Sequence, residues 1–459
     1  MSKINNLSHM KVKWSELLFK CSLKTLPKLA FDKLKDNTSQ FIELVNELPM
    51  DYEVQRLCIR TASFPLELRR IAARRLYLSN REVEGLPDYI KFARHWEAFS
   101  KGVDTNLRDL VRTSISNMLN DNLSVISDGR VVDINPKHRS ANTVVVYLQP
   151  RYFYVGENPF IPHWNSTQLF KSLLSAASSN NIALLPLVLP FTNILPKDDF
   201  PGFSRVGHHT FGVDAKCLHL KIAYLKEYAY VDRTGFGPFS DIGHNFDLDR
   251  DLSRKNIDEI EEFHLRLFSK YCVARESKFK QPDEILRTPR SEGNVFFAMQ
   301  TTDDSVIQAQ YIDQYSAIEI ILEAFMGSDR KLLVKKHPFD NSSETATFLL
   351  KINSHPNCVL SNGNVHDLIE RCDVTVCINS GVGLEALLHL KPVINIGLSD
   401  YRFVTKTAKT KTELLWLLDN FNIEFKPNTI KSFLYYFFNK HVCHVNDEKA
   451  ISERLLAIL

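Results

Sequence analysis

The sequence has almost no excess of charge of one sign. Its 57 Lys and Arg residues face 54 Asp and Glu residues, so the formal net charge over 459 residues is +3. Proteins that bind nucleic acid usually carry a strong positive field, and this balance argues against a nucleic-acid partner. The basic residues are therefore expected to act locally.

Cysteine motifs are also missing. The eight cysteines form no CxxC pair, and Cys372 and Cys377 lie five residues apart in an apolar stretch. This pattern favours reduced core thiols in a reducing compartment. The HHx(9)H spacing that begins at His208 is no recognised zinc pattern, and the segment around Cys217 is interpreted as helical, so no metal site is expected.

No apolar run is long enough to cross a bilayer. The longest, IALLPLVLPF at 182–191, contains two prolines, and the N-terminal MSKINNLSHMK lacks a signal-peptide core. The sequence therefore predicts a cytoplasmic protein. ELRRIAARRLYL places four arginines close together, either as a solvated, ion-paired face or as a surface for peripheral contact with the inner face of the cytoplasmic membrane; they are Arg69, Arg70, Arg74 and Arg75.

What is present is an ordinary globular composition, with 44% hydrophobic and 24% charged residues. A chain of this length predicts two or three compact units. Residues 1–122 show apolar positions three or four apart, which predicts a helical N-terminal region. TVVVYLQP then begins an alternation of short β-branched runs with amphipathic stretches, which is typical of a doubly wound α/β unit.

The pattern restarts after the polar connector KFKQPDEILRTPRSEG with NVFFAMQ, KLLVKKHP, CVLSN, DVTVCINS and PVINIG. We therefore predict one Rossmann-like domain at 123–285, a second at 286–415 and C-terminal helices at 416–459. The expected fold class is α/β, with the two domains facing across a cleft. In such sheets ligands bind beyond the carboxyl ends of the strands.

Three polar groups follow strands of the second domain. Ser380 and Gly381 open a helix after VTVCIN, where free N–H groups favour a phosphate, and Glu385 lies one turn later, where it can accept hydrogen bonds from a ribose. A tight strand-to-helix turn is the alternative explanation of the glycines. The other two groups are the His337-Pro338 pair with Lys335, and Gln300 with Ser305. An incidental strand ending is the alternative for the histidine.

Asp232 ends the predicted strand EYAYVD of the first domain. Its carboxylate suits a nucleophile or a general base, and a capping residue or a partner of Arg233 is the plainer alternative. Upstream, HHTFG supplies His208 and His209, and HLK supplies Lys221.

The order of these motifs resembles the bacterial Kdo transferases of capsule and O-antigen assembly. HHTFG and HLK precede DRTGFGPFS, then come QTTDDSVI, KKHP and SGVGLEALLHLKPVINIG, over about 147–401. Within that family the retaining β-Kdo transferases of the WbbB type are the most similar.

The resemblance implies a GT-B architecture without a metal or other cofactor, in which CMP-Kdo is the donor and a lipid-linked glycan of lipopolysaccharide or capsule is the acceptor. His337 and Ser380 would stabilise the departing phosphate, and Asp232 would form a covalent Kdo adduct. His209 or His208 would act as acid/base, and Arg233 or Lys221 would neutralise the Kdo carboxylate or keep Asp232 ionised.

Three alternatives remain at this point. An inverting transferase would use Asp232 as general base. Another donor, such as CMP-sialic acid or a UDP-sugar, would use the same strand ends. A non-catalytic glycan-binding or nucleotide-binding scaffold would need none of these side chains for turnover.

Overall fold

The computed structural model describes Leu76 and residues 143–148, 163–188, 202–242, 246–247, 257–282, 292–302, 304–422 and 425–459. The predicted helical region 1–122 lies outside the described residues apart from Leu76. The predicted domain boundaries likewise stay predictions, because the sheets below do not by themselves fix them.

The first sheet has six strands in the order β12-β5-β4-β3-β1-β2. They are β1 Thr143–Leu148, β2 Ala183–Val188, β3 Ser204–His208, β4 Cys217–Ile222, β5 Tyr228–Asp232 and β12 Cys443–His444. The pairs from β2 to β4 are parallel, whereas β5 runs antiparallel to both β4 and β12. Pro186 is compatible with β2 because β2 is an edge strand of this sheet.

Two strands of this sheet correct the sequence interpretation. The segment at Cys217 is β4 and not a helix, and β3 was not predicted. Both carry polar residues that are buried, including Arg205 and His219. Arg205 is paired with Asp214, and His219 is hydrogen-bonded to Thr210 and to the carbonyl of Gly212. Such partners make an apparently polar segment compatible with a buried strand.

The second sheet has the order β11-β10-β9-β6-β7-β8, and all its strands are parallel. They are β6 Val295–Ala298, β7 Leu332–Lys335, β8 Cys358–Leu360, β9 Val374–Cys377, β10 Val393–Asn395 and β11 Lys406–Thr407. The chain builds outward from β6 through β7 to β8 and then crosses to β9 on the other side. The boundary between β6 and β9 is therefore the switch point at which such sheets bind ligands.

The helices between and after the strands are α1 His163–Ser179, α2 Ile257–Leu267, α3 Gln314–Phe325, α4 Ser343–Ile352, α5 Val365–Arg371, α6 Gly381–Leu388, α7 Lys411–Asn420, α8 Pro427–Tyr436 and α9 Glu448–Leu456. Single π-helical turns extend α2 over Phe268–Val273 and α8 over Phe437–His441. No helix in the described ranges combines the length and hydropathy needed to cross a membrane.

The C-terminal segment returns to the first sheet. β12 pairs with β5, and α9 packs on α1 through a hydrogen bond from Ser175 to Glu448. α8 packs on α2 and contributes Phe433 and Phe437 to a core that also includes Tyr230 of the first sheet and Phe296 of the second. One apolar core thus joins the two sheets. The fold is α/β and GT-B-like, as the sequence predicted.

Candidate functional site

A cavity of about 480 Å³ lies between the two sheets. It gathers most of the predicted site residues: His209, Lys221, Gln300, Ser305, Lys335, His337, Pro338, Ser380, Gly381 and Glu385. Within the described part of the chain, its wall does not include Asp232, His208 or Arg233. The residues predicted to bind the donor therefore lie together in the cavity wall more completely than the predicted catalytic residues do.

Gln300 and Asn379 join the strand ends at the switch point. The Gln300 side chain donates to Asn379 Oδ1 at 2.9 Å and accepts from the Asn379 amide at 3.0 Å. Asn379 in turn donates to the carbonyls of Val306 and Leu398. Gln300 is 4% exposed. Its side chain thus joins the ends of β6 and β9 in the cavity wall, and its contact with a donor stays a prediction.

α6 begins at the cavity wall. Ser380 is its N-cap, and its hydroxyl accepts a hydrogen bond from the Val382 amide at 3.2 Å. A Cβ on Gly381 would lie 3.1 Å from Tyr224 Cδ1, and a Cβ on Gly383 would lie 2.4 Å from the Tyr401 hydroxyl oxygen. Close packing of two tyrosines therefore explains both glycines, and the helix N-terminus remains beside the cavity as a favourable place for an anion.

His337 follows β7 and lies partly buried against Phe279 and Phe339, with ring centroids 5.3 and 5.7 Å away. Its Nδ1 accepts a hydrogen bond from the Phe339 amide at 3.2 Å. A neutral imidazole with Nδ1 acting as acceptor carries its proton on Nε2. The ring is thereby fixed as an Nε2–H donor in the cavity wall.

Three ionisable side chains in the cavity wall have pKa values that burial shifts. Burial lowers the pKa of Lys278 to about 7 and the pKa of Lys335 to about 8. Burial also raises the pKa of Glu385 to about 7, against the nearby Ser277 hydroxyl and the two lysines, which favour its ionised form. Both Glu385 carboxylate oxygens are buried and have no hydrogen-bond partner of normal geometry among the described residues. Titratable groups with such shifts are typical of functional sites.

Lys278 was missed in the sequence, where KFKQP was interpreted only as a connector. Its ammonium donates to the carbonyl of Ile222 at 3.0 Å, and Lys221 is near enough to lower its pKa further. Lys221 itself stacks over the Phe236 ring at 4.0 Å. The position of Lys278 in the sequence could have indicated a place in the site, because a connector between two facing domains must pass the cleft.

A second buried carboxylate links the two sheets beside the cavity. Tyr224 and Tyr230 donate their hydroxyls to the two oxygens of Asp400 at 2.7 and 2.6 Å. Burial raises the pKa of Asp400 to about 6, although both hydrogen bonds favour the ionised form. Asp400 is fully buried, and the two tyrosines line the cavity. The group fixes the two sheets relative to each other at the cavity.

Asp232 organises the turn that follows β5. Its Oδ1 accepts from the Thr234 amide and hydroxyl at 2.8 and 3.0 Å and from the Gly235 amide at 2.9 Å. The Asp241 amide bridges both carboxylate oxygens at 3.1 Å. Asp232 thus stabilises a turn and caps no helix among the described residues, and Oδ2 is the oxygen with fewer hydrogen bonds. Its role as nucleophile stays a prediction.

His441, another residue missed in the sequence, lies 3.9 Å from Asp232 Oδ2 through its Nδ1. Burial lowers the pKa of His441 to about 4, although the Asp232 charge opposes this shift. The imidazole is thus neutral at pH 7. Nothing in the sequence around His441 indicated that the π-helical turn Phe437–His441 would bring this histidine to β5.

The remaining catalytic candidates are dispersed. His209 lines the cavity with a backbone φ of 58°, a strained value for a residue other than glycine and one that is enriched at functional sites. His208 is fully buried beside Phe170, with ring centroids 5.3 Å apart. Arg233 is exposed and donates to the carbonyl of Ala215 at 3.0 Å. Of the three, His209 has the position for substrate contact.

Comparison with known proteins adds a family match over part of the chain. The family model described as Capsule polysaccharide biosynthesis protein matches residues 252–441, which is less than half of the chain. The matched segment includes the whole second sheet, the connector with Lys278 and both predicted phosphate-binding turns. No curated protein sequence matches the chain.

Solved structures with a related fold include two from Thermosulfurimonas dismutans. KpsC, beta Kdo 2,4 transferase, is 15% identical over 70% of this chain and 100% of that chain, with a TM-score of 0.42. KpsC, beta Kdo 2,7 transferase, is 16% identical over 68% and 99%, with a TM-score of 0.37. A glycosyltransferase from Rickettsia africae ESF-5 is 10% identical over 78% and 89%, with a TM-score of 0.30.

Proposed function

We propose that the protein is a glycosyltransferase that moves Kdo from CMP-Kdo to a glycan acceptor of a capsule or O-antigen. The observation that carries the proposal is the cavity between the sheets, whose wall contains Lys221, Lys278 and Lys335 together with predicted donor-binding residues. The capsule biosynthesis family match over 252–441 supports the same choice.

The charge of the donor suits this cavity. CMP-Kdo carries one phosphodiester and one carboxylate, and both are anionic at neutral pH. A full unit charge 4 Å from an ammonium gains about 4 kcal/mol at an effective dielectric constant near 20. Lys278 and Lys335 are therefore proposed to bind the donor's anionic groups.

The leaving phosphate is proposed to lie between His337 and the start of α6. His337 presents its Nε2–H in the wall, and Ser380 caps the helix whose dipole favours negative charge. Both groups act where charge develops as the bond from phosphate oxygen to the sugar breaks. Glu385 is proposed to face the ribose, with its carboxylate oxygens accepting from the hydroxyls.

For the reaction we propose two displacements. Asp232 Oδ2 attacks the anomeric carbon of Kdo, and CMP leaves with the electron pair of the broken C–O bond. The acceptor hydroxyl then attacks the same carbon, gives its proton to His209, and releases Asp232. Two inversions retain the β configuration. Because Asp232 lies outside the cavity wall, the Kdo end of the donor must extend past it to the end of β5.

The alternative is an inverting enzyme in which the Asp232 carboxylate only accepts the acceptor proton. The two schemes differ in the covalent intermediate. Incubation with CMP-Kdo without acceptor, followed by mass spectrometry of the peptide containing Asp232, is expected to show addition of one Kdo. Asp232→Asn should show none, and Asp241→Asn should retain it, because Asp241 contacts Asp232 through its backbone amide.

A product of inverted configuration, formed without any adduct, would contradict the double displacement. The donor is tested separately by nucleotide release from CMP-Kdo, CMP-sialic acid and a UDP-sugar. Preferred release from another donor would overturn the choice of Kdo. Binding of CMP without turnover of any donor, in the presence of lipid-linked glycan acceptors, would identify a non-catalytic scaffold.

A further inference from the structure

Three metal-ligating side chains meet away from the cavity. The Sγ of Cys272, a ring nitrogen of His366 and a ring nitrogen of His389 all lie within 4.8 Å of one another. Cys272 is 3% exposed, His366 is 1% exposed and the His389 side chain is 3% exposed. They come from the π-helical turn after α2, from α5 and from the end of α6. The predicted donor and acceptor roles involve none of them.

Without a metal, the hydrogen bonds of the two rings assign one tautomer to each ring. His366 Nε2 lies 2.8 Å from the carbonyl of Glu276 and must carry a proton to donate to it, so its Nδ1 has a lone pair. That lone pair faces His389 Nε2 at 2.9 Å, which must then be the protonated nitrogen of a neutral ring. His389 Nδ1 would consequently turn a lone pair toward the Glu370 carboxylate, 3.8 Å away.

A bound cation would change the tautomer of His389. Both facing nitrogens then direct lone pairs to the metal, and the proton of His389 moves to Nδ1, where it points at Glu370. Each ring thus gains an outer hydrogen-bond acceptor, the Glu276 carbonyl for His366 and the Glu370 carboxylate for His389. Histidine ligands of metals almost always have such outer partners.

We propose that Cys272, His366 and His389 form a structural zinc site. Thiolate and imidazole are the ligands that zinc prefers, and one tetrahedral position remains for water. Tetrahedral bonds of usual length place two nitrogens about 3.3 Å apart, so the rings need to separate by only a few tenths of an ångström. Zinc and one thiolate together carry a single positive charge, which Glu370 balances.

The proposed zinc site would join elements of the chain that carry residues of the cavity wall. Cys272 lies six residues before Lys278 on the connector, and His389 ends the helix whose N-terminus is capped by Ser380. A metal that joins these elements to α5 fixes the connector against α6. The site positions the cavity wall and takes no part in bond breaking, and it does not depend on the proposed function.

The test is metal content and spectroscopy of the full, tag-free chain. After zinc loading and exhaustive dialysis, the wild-type protein is expected to retain one zinc per chain. Substitution with Co²⁺ is expected to produce a thiolate-to-cobalt charge-transfer band. Cys272→Ser is expected to lose that band, and His366→Ala is expected to lose the bound metal. Cys358→Ser and His355→Ala are matched controls on the same domain and should keep both signals.

Glu370→Gln provides a variant that keeps all three ligands, and Glu370 is 63% exposed, so the fold should tolerate it. Loss of an outer partner is expected to weaken zinc binding about 10- to 100-fold. Zinc should also raise the melting temperature of the wild type and not that of Cys272→Ser. The proposal is overturned if the wild type retains no stoichiometric zinc, or if Cys272→Ser keeps the same metal content and charge-transfer band.

Discussion

Lys278→Met is expected to stabilise the free protein and to weaken its binding of an anionic donor. Burial lowers the pKa of Lys278 from 10.5 to about 7. At about 1.4 kcal/mol per pKa unit, keeping the ammonium in the fold costs about 5 kcal/mol. Partial exposure of the side chain and loss of the hydrogen bond to Ile222 reduce the expected net gain for methionine to roughly 2 kcal/mol.

The effect has a defined pH dependence. Because the pKa of Lys278 is lower in the folded state, the unfolded chain binds more protons between about pH 7 and pH 10.5, and wild-type stability rises with pH across that window. Methionine does not titrate. The stability difference between Lys278→Met and the wild type is therefore largest near and below pH 7 and shrinks as the pH approaches 10.

Denaturant unfolding at pH 7 and pH 9.5, together with calorimetric titration of CMP, measures both consequences. Lys280→Met is the matched control, because Lys280 flanks the same Phe279 but is exposed. It should change neither stability nor CMP affinity appreciably. Destabilisation by Lys278→Met at both pH values, or an effect that did not change with pH, would show that Lys278 is not a desolvated cation. Its proposed attraction for the donor's anionic groups would then be contradicted.

Three further predictions concern the same cavity and its supports. Donor KM is expected to fall between pH 8 and pH 6 in steady-state nucleotide release, because Lys278 gains a proton and Glu385 loses its charge around pH 7; a flat profile would contradict this. His337→Ala should lower kcat about 10²- to 10³-fold, as for other donors to a developing oxyanion, with unchanged circular dichroism, and an active variant would remove His337 from the phosphate. Gly383→Ala should cost about 1–3 kcal/mol in unfolding measurements, because its Cβ would meet the Tyr401 hydroxyl, and Tyr401→Phe should recover part of that loss.

Five of the six strands of the second sheet were predictable because their apolar runs are continuous and bounded by polar turns, whereas the two-residue β11 was not predicted. NVFFAMQ and DVTVCINS contain β6 and β9 at nearly the predicted positions. The first sheet was less predictable because β3 and β4 bury polar side chains. Arg205, for example, is compatible with β3 only through its partner Asp214, and a tertiary partner is not visible in a local pattern.

The cavity was predictable to the extent that strand ends define it. His337 and Ser380 follow strands of one parallel sheet, so the sequence placed them on one edge. Lys278 lies on the connector and His441 on a π-helical turn, where no periodicity indicates proximity to a site. The interpretation of Gly381 was incomplete for a related reason, since the tyrosine that fills the space beside it, Tyr224, lies in the turn between β4 and β5 of the other sheet.

These observations point to a connector that has two opposing roles. Lys278 destabilises the fold because its ammonium is partly buried beside Lys221, yet that same desolvation strengthens its attraction for an anion. A lysine whose buried ammonium destabilises the fold keeps its position only if other contacts hold the backbone around it. The hydrogen bond from Arg275 to Asp367 supplies one such contact, and the proposed zinc site at Cys272 would supply another just upstream. The stability of the connector and the affinity of the cavity are therefore expected to be linked through residues that never touch the substrate.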